Sequence, residues 1–155
     1  MKIGLVSDSH DNLVNINKAV DIFNKKGVDF VLHAGDFVAP FSLLSFSNLK
    51  CDWRGVFGNC DGEKKGLVKK SKDRITAGQL SMDLGDRKII VIHDLDEYNK
   101  EKAAVVVFGH THKAEINRVG GVLFVNPGEC SGWLTGCATI GILDTIDLDV
   151  EIIEL

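Results

Sequence analysis

The chain has 155 residues, of which 45% are hydrophobic and 26% are charged, and its formal net charge is −4. This composition is typical of a single globular domain, which we expect to span residues 1–155. The acidic balance argues against a surface that binds nucleic acid or an anionic membrane, because such surfaces need clustered basic residues. No apolar run approaches the roughly 18 residues of a membrane-spanning helix, and the opening residues lack the apolar core of a signal peptide. We therefore expect a cytoplasmic protein with reduced cysteines.

The first half of the sequence alternates predicted strands and helices. Residues 2–7 form a strand-like apolar run, after which Leu13, Ile16, Val20 and Phe23 recur at helical spacing. The later elements of this half are a strand over 28–36, a short helix from Pro40 to Leu49, a strand from 52 that runs into a glycine-bounded loop, and a lysine-rich helix within 63–73. This alternation favours an α/β domain.

Hairpins dominate the second half. They turn at Gly85-Asp86, at Gly120-Gly121 and near residues 144–147. The apolar run at Val105–Val107 predicts a further buried strand between the first two hairpins. Together with the first half, this pattern predicts two mixed sheets that lie face to face with helices outside, without fixing the order of the strands.

Polar motifs follow five of the predicted strands. They are Asp8-Ser9-His10, Gly35-Asp36, Gly58-Asn59-Cys60-Asp61, His93 and His110-Thr111-His112. Ligand sites in open α/β sheets lie beyond the carboxyl ends of the strands, and residues two apart in an extended segment project to the same side. We therefore expect these side chains to converge on one site. The fifth histidine, His33, lies inside a strand pattern and is interpreted as structural.

The residue types in these motifs indicate a metal centre. Carboxylate, imidazole and amide oxygen together suit divalent ions of intermediate hardness, namely Mn²⁺, Fe²⁺, Co²⁺, Ni²⁺ or Zn²⁺. Asp8 and Asp36, with one asparagine and four histidines, exceed the four ligands of a tetrahedral zinc site. The count predicts two metal ions that share a bridging carboxylate.

In this order, the motifs resemble those of the calcineurin-like metallophosphoesterases. The family pattern is D-x-H, G-D, G-N-x-D, H and G-H-x-H, and this chain has DSH, GD, GNCD, IHD and GHTH. Residues 126–136, NPGECSGWLTG, are similar to the region after the last motif in the small YfcE-like phosphodiesterases of bacteria and archaea. The resemblance implies a four-layer α/β/β/α sandwich and a phosphodiesterase with two divalent metal ions.

The resemblance also implies a role for each motif residue. One metal ion would be held by Asp8, His10, Asp36 and His112, and the other by Asp36, Asn59, His93 and His110. Asp36, Asn59 and His110 are the implied catalytic residues, and Asn59 and His110 would also bind substrate. The implied reaction is attack on phosphorus by a hydroxide that bridges the metals, with Mn²⁺ or Ni²⁺ as the favoured ions. Such a site carries a local charge of about +2, which attracts an anionic ester to an acidic protein.

Two departures from the family pattern concern residues that would modulate the site. Cys60 stands where many members have a histidine that protonates the leaving group, and a thiol is a poor general acid for an alkoxide at neutral pH. This favours diesters or activated esters with good leaving groups. Asp94 follows His93 where the branch usually has glycine, and its charge would act on phosphate or on metal binding. Asp61 completes the third motif beside Cys60.

Two other functions compete with the hydrolase. A relative of this fold in the retromer complex serves mainly as a scaffold, and Cys60 with the unusual segment at Asp94 favours that interpretation. Larger relatives cut DNA, and the lysines at 64, 65, 69, 70 and 72 are the only support for a nuclease.

We expect a small phosphodiester substrate, no membrane or nucleic-acid partner, and a homodimer or higher homo-oligomer.

Overall fold

Two mixed β-sheets lie against each other in the computed structural model, which describes residues 1–155. The strands of the first sheet are β1 Lys2–Val6, β2 Phe30–His33, β3 Asp52–Val56, β4 Ile75–Thr76, β10 Thr139–Asp144 and β11 Asp149–Glu154. Their order is β11-β10-β1-β2-β3-β4. Strands β1 to β4 pair in parallel, whereas β10 is antiparallel to both β1 and β11.

The second sheet has five strands. They are β5 Leu80–Leu84, β6 Arg87–Val91, β7 Val105–Val107, β8 Ala114–Val119 and β9 Val122–Pro127, in the order β5-β6-β7-β9-β8. Strands β6, β7 and β9 pair in parallel. A buried apolar layer joins the two sheets, with Leu5 and Leu32 from the first sheet and Val91, Val107 and Val125 from the second. This layer fixes how the ends of the two sheets meet.

Helices cover the outer face of the first sheet. They are α1 Leu13–Lys26, α2 Lys64–Ser71 and, between them, a 3₁₀-helix at Pro40–Asn48. The side chain of Asn12 caps the start of α1, and Gly27 ends it with a left-handed backbone (φ 64°) that suits glycine. The face of α1 that carries Ile16 and Phe23 is buried, whereas Leu13, predicted on that face, is 40% exposed. Leu13 is the first residue of the helix, so its side chain extends past the edge of the packed layer.

The outer face of the second sheet is covered by a much thinner layer. A single 3₁₀ turn at Leu95–Glu97 and the residues after it lie over this face, where Tyr98 packs edge-on against Phe124 with ring centroids 6.0 Å apart. The structure thus confirms two mixed sheets with helices outside. Neither α-helix has both the length and the apolar character that crossing a membrane requires.

The pairing of the strands adds detail that the sequence pattern lacks. All three predicted hairpins form, as β5-β6, β8-β9 and β10-β11. The last hairpin joins the first sheet by pairing with β1, and a short strand, β4, extends that sheet beyond β3. Parallel pairing puts the carboxyl ends of β1, β2 and β3 side by side, and those of β6 and β7 likewise.

Candidate metal centre

The loops after β1, β2, β3, β6 and β7 meet where the carboxyl ends of both sheets come together. Backbone hydrogen bonds join neighbouring loops: Asp8 N–H donates to Gly35 O at 3.0 Å, His10 N–H to Asp36 O at 3.1 Å, and Gly109 N–H to His93 O at 3.0 Å. Backbone N–H groups of Cys60 and His110 donate to the carboxylates of Asp36 at 2.8 Å and Asp8 at 3.3 Å, so the five loops form one connected layer.

An unusual backbone conformation recurs at the predicted ligands. Positive φ angles occur at Asp8 (50°), His10 (38°), Asp36 (61°), His110 (67°) and His112 (62°). This region is uncommon for residues other than glycine, and each such residue costs on the order of 1 kcal/mol or more. Backbone strain of this kind concentrates at functional sites, where the surrounding structure holds it in place.

Four predicted ligands form a compact group. One ligand atom from each of Asp8, His10, Asp36 and His112 lies within 4.8 Å of all the others. Nε2 of His10 is 3.5 Å from Oδ2 of Asp36, and Nε2 of His112 is 3.6 Å from Oδ1 of Asp8. Both carboxylates are buried, and the two imidazole rings stack at 5.2 Å.

This first group fits a divalent cation. Nε2 of His10 is buried and has no hydrogen-bond partner, which is costly for a polar atom inside a protein. Burial raises the pKa of Asp8, because its charged form is poorly solvated there. A metal ion would bind the free nitrogen lone pair and offset the carboxylate charge.

Asn59, His93 and His110 form a second group beside the first. Oδ1 of Asn59 is 2.8 Å from Nε2 of His93 and 3.0 Å from Nδ1 of His110. Nδ1 of His93 is 2.8 Å from the carbonyl oxygen of Ala34, so this nitrogen donates a proton there and Nε2 is the atom that faces the group. In the form that binds metal, Nε2 keeps its lone pair, and Nε2 and Oδ1 of Asn59 are two acceptors that face each other. A cation bound by both atoms removes this conflict, so the second group also fits a metal ion.

Asp36 lies between the two groups. Its Oδ2 is 3.5 Å from Nε2 of His10 in the first group and 3.5 Å from Nε2 of His93 in the second. Its Oδ1 accepts a hydrogen bond from the backbone of Cys60 at 2.8 Å. This hydrogen bond holds the carboxylate with Oδ2 turned toward both groups.

Asp61 supports the loop that carries Asp36. Its buried carboxylate accepts hydrogen bonds from the backbone N–H groups of Asp36 at 3.2 Å, Val38 at 2.7 Å and Gly58 at 2.8 Å. A Cβ on Gly58 would lie only 2.1 Å from Oδ1 of Asp36, so glycine is required for this close approach. Asp61 acts on the site through the backbone and not as a further ligand atom.

Cys60 and Asp94 lie at the rim. Cys60 is exposed, and partial desolvation together with the Asp36 carboxylate raises the pKa of its thiol to about 11. Oδ2 of Asp94 is 3.5 Å from Nε2 of His110, while its Oδ1 caps the following 3₁₀ turn by accepting from Asp96 N–H. The carboxylate of Asp94 is therefore directed at a predicted ligand from outside the group.

Glu129 is a residue of the site that the sequence analysis missed. It is fully buried after β9, and its Oε2 is 3.0 Å from Nδ1 of His112. Burial alone would raise the pKa of Glu129, but hydrogen bonds from Thr135, His112 and Ser131 hold that pKa at about 2. The only sequence signal was its place within NPGECSGWLTG, where no pattern distinguishes a buried glutamate.

His33 has the structural role that was predicted for it. It is fully buried and stacks on Phe37, with ring centroids 3.6 Å apart. Its Nδ1 accepts from Gly35 N–H at 3.1 Å, and its Nε2 is 3.0 Å from Oγ of Ser9. Burial holds the pKa of this imidazole well below its usual value, so the ring stays neutral beneath the site.

A cavity of about 200 Å³ opens beside the second group. Asn59, His93 and His110 line it, together with Lys64 and Asp94. The Lys64 ammonium group lies 5.3 Å from the centre of the Phe57 ring and is the only lysine or arginine in this lining. The cavity offers an anionic group one cation and direct access to the predicted ligands.

Comparisons with known proteins agree with the motifs and the fold. A family model for the calcineurin-like phosphoesterase superfamily domain matches residues 1–147. Phosphodiesterase MJ0936 of Methanocaldococcus jannaschii is 43% identical in an alignment that covers 94% of this chain and 93% of that protein. A solved archaeal phosphodiesterase has a TM-score of 0.93 at 41% identity over 100% of both chains. The E. coli phosphoesterase YfcE shares the fold, with a TM-score of 0.78 at 21% identity over 99% of this chain and 98% of its own. The chain belongs to the calcineurin-like phosphoesterase superfamily, as the order of its motifs predicts.

Proposed function

We propose that residues 1–155 form a single domain that hydrolyses small phosphodiesters, or activated phosphoesters, with two divalent metal ions. The observation that carries this proposal is the position of Asp36, whose one oxygen atom lies 3.5 Å from a histidine nitrogen in each ligand group. The phosphodiesterase named at 43% identity supports the same chemistry. Action in the cytoplasm and assembly into a homo-oligomer stay predictions.

Each ion would be held by one of the two ligand groups, with Asp36 shared between them. The first group is Asp8, His10, Asp36 and His112, and the second is Asp36, Asn59, His93 and His110. This donor set suits divalent ions of intermediate hardness, and among these the family resemblance favours Mn²⁺ or Ni²⁺. When bound, the ions would supply Lewis acidity toward a phosphate oxygen and toward the water that becomes the hydroxide nucleophile.

The protein side chains would bind and orient the ester. Asn59 and His110 are exposed at the cavity, so both can reach a phosphate oxygen as well as an ion. Lys64 lies in the same lining and adds one positive charge, opposed by Asp94 and Glu97. The small cavity favours a phosphodiester with compact substituents over a nucleic-acid duplex.

The residue at position 60 would restrict the leaving group. Cys60 stands where an imidazole acid is found in many relatives, and its thiol has a raised pKa of about 11. General acid catalysis contributes roughly 10²–10⁴-fold to rates, so a substrate that needs a proton on its departing oxygen gains little here. We infer a preference for esters with good leaving groups, such as nitrophenyl diesters.

The test of this proposal is metal removal and restoration. Protein stripped with a chelator should lose hydrolysis of bis(p-nitrophenyl) phosphate, and added Mn²⁺ or Ni²⁺ should restore it. Elemental analysis of the restored protein should give two ions per chain. Undiminished hydrolysis by the metal-free protein would contradict the proposal, and one ion per fully active chain would contradict the binuclear site.

A further inference from the structure

We propose that Glu129 is a positioning residue of the metal centre, which holds His112 with Nε2 free to bind an ion and ties that ligand to the loop at 131–137. The inference rests on the proposed function, because it concerns one of the proposed ligands. Its basis is the set of groups that surround the buried carboxylate.

The surroundings of Glu129 consist of hydrogen-bond donors. The side chain is 0% exposed and has no lysine or arginine partner within salt-bridge distance. The donors are Nδ1 of His112, Oγ of Ser131, the backbone N–H of Leu134, and both the backbone N–H and Oγ1 of Thr135. A group that accepts from five donors at once must be a carboxylate, since neither an amide nor a hydroxyl offers this many acceptor sites.

The first consequence concerns the tautomer of His112. An ionised carboxylate only accepts, so Nδ1 of His112 carries a proton, and Nε2 is the ring nitrogen left to bind an ion. That Nε2 faces the first ligand group, 3.6 Å from Oδ1 of Asp8. His93 is fixed in the same way by the carbonyl oxygen of Ala34, 2.8 Å from its Nδ1. Partners of this kind orient histidine ligands and raise their basicity.

The second consequence concerns the loop that borders the centre. Oε1 of Glu129 accepts from Thr135 and Leu134, and Oε2 accepts from Ser131 at 2.8 Å. The indole N–H of Trp133 donates to the backbone oxygen of His10 at 3.2 Å, although the Trp133 side chain is 64% exposed. One buried carboxylate therefore fixes both a proposed ligand and the loop beside it.

Metal retention distinguishes a Glu129 that positions His112 from a Glu129 that only anchors the loop. If Glu129 only anchored residues 131–137, its loss would act on the first ion through the contact of that loop with His10, and Trp133→Phe, which removes this contact, would release the same ion to the same extent. If it positions His112, its loss weakens the first ion more than Trp133→Phe does and leaves the second, because Asn59, His93 and His110 do not touch it.

The decisive experiment is Glu129→Gln in the metal-loaded full chain. A glutamine keeps the size of the side chain but has only one acceptor oxygen and no charge, so Nδ1 of His112 loses its charged acceptor whichever way the amide turns. We expect one ion per chain to be released about 10- to 100-fold more readily and the other to be retained as in the wild type. Equilibrium dialysis of Zn²⁺-loaded protein against a graded chelator, followed by elemental analysis, measures this loss.

Three further substitutions serve as controls for the metal loss in Glu129→Gln. Ser131→Ala removes a donor to the same carboxylate without touching His112, and Glu154→Gln makes the same chemical change at an exposed position. Both should retain two ions, whereas His112→Ala should lose the same ion as Glu129→Gln. Wild-type retention in Glu129→Gln would overturn the inference. A wild type that binds no ions would overturn the proposed function instead.

A second measurement needs no variant, and it tests whether Glu129 positions His112 even if Glu129→Gln does not fold. Long-range ¹H–¹⁵N spectra of the Zn²⁺-loaded wild type distinguish the tautomers of its five histidines. We expect His112 to carry its proton on Nδ1 and to bind through Nε2. A proton on Nε2 of His112 would exclude the proposed role of Glu129.

Discussion

Asp36 faces both ligand groups through a single oxygen atom, so its replacement should affect both ions. Asp36→Asn removes one negative charge from the centre, and an amide oxygen is a weaker ligand for two cations that repel each other. We expect the metal content to fall from two ions toward none. We also expect kcat/KM for an activated diester to fall by at least about 100-fold, because replacing a residue that merely supports a metal ligand already lowers metal affinity or activity by 10- to 100-fold. Elemental analysis and steady-state kinetics measure the two effects.

Two comparisons make this prediction specific to the shared position. His93→Ala removes a ligand from one group only and should leave about one ion per chain. Asp21→Asn makes the same chemical change at an exposed position on α1 and should behave as the wild type. Two ions and a near-normal rate in Asp36→Asn would show that this carboxylate is not shared.

At the residue level, the sequence reveals the side chains that could bind metal better than the groups that support them. The proposed ligands, such as Asp8 and His10, are recognisable in the sequence because metal-binding residue types recur at the ends of apolar runs. Glu129 is not, because its importance comes from donors contributed by His112 and by a loop that folds back on it. The left-handed backbone at Asp8 and Asp36 is equally hidden, since non-glycine residues give no local sign of a positive φ.

At the level of elements, the sequence predicts hairpins better than the assembly of sheets. The β8-β9 hairpin follows from Gly120-Gly121 and its flanking apolar residues, which are all close in the chain. The pairing of β10 with β1 joins residues from opposite ends of the sequence, such as Ile3 and Leu143. Such pairing depends on packing across the whole domain, so local patterns do not reveal it.

The contact between β1 and α1 allows a test of how tightly the elements must pack. A Cβ on Gly4 would lie 2.7 Å from Cε1 of Phe23, a fully buried ring. We expect Gly4→Ala to lower the free energy of unfolding by roughly 1–3 kcal/mol, the usual cost of overpacking a core. Urea unfolding followed by circular dichroism measures the change.

The chain offers a matched control for that substitution. A Cβ on Gly62 meets no atom within 4 Å, so Gly62→Ala should leave stability unchanged or slightly increased. Adding Phe23→Leu to Gly4→Ala should reverse part of the loss, because the smaller side chain relieves the clash. Wild-type stability in Gly4→Ala would mean that α1 is free to shift on the sheet.

At the level of the whole molecule, the proposed metal ligands come from both sheets. Asp8, His10, Asp36 and Asn59 follow strands of the first sheet, whereas His93, His110 and His112 follow strands of the second. The buried layer between the sheets is apolar, whereas this edge brings the two sheets together through polar side chains, among them His10 with its unpartnered Nε2. Metal ions bound here would join the sheets and stabilise the folded chain as a unit.

That arrangement predicts a thermal stability that depends on metal concentration. An ion that binds only the folded state at 100 times its Kd adds about 2.7 kcal/mol, which corresponds to a rise in Tm of about 5–10 °C for a domain of this size. Calorimetry of the chelator-stripped chain with increasing Mn²⁺ or Ni²⁺ should show this rise. Asp36→Asn should show little of it, because both sites lose their shared ligand. If Tm is the same in chelator and in saturating metal, the ligands from the two sheets do not bind a common pair of ions.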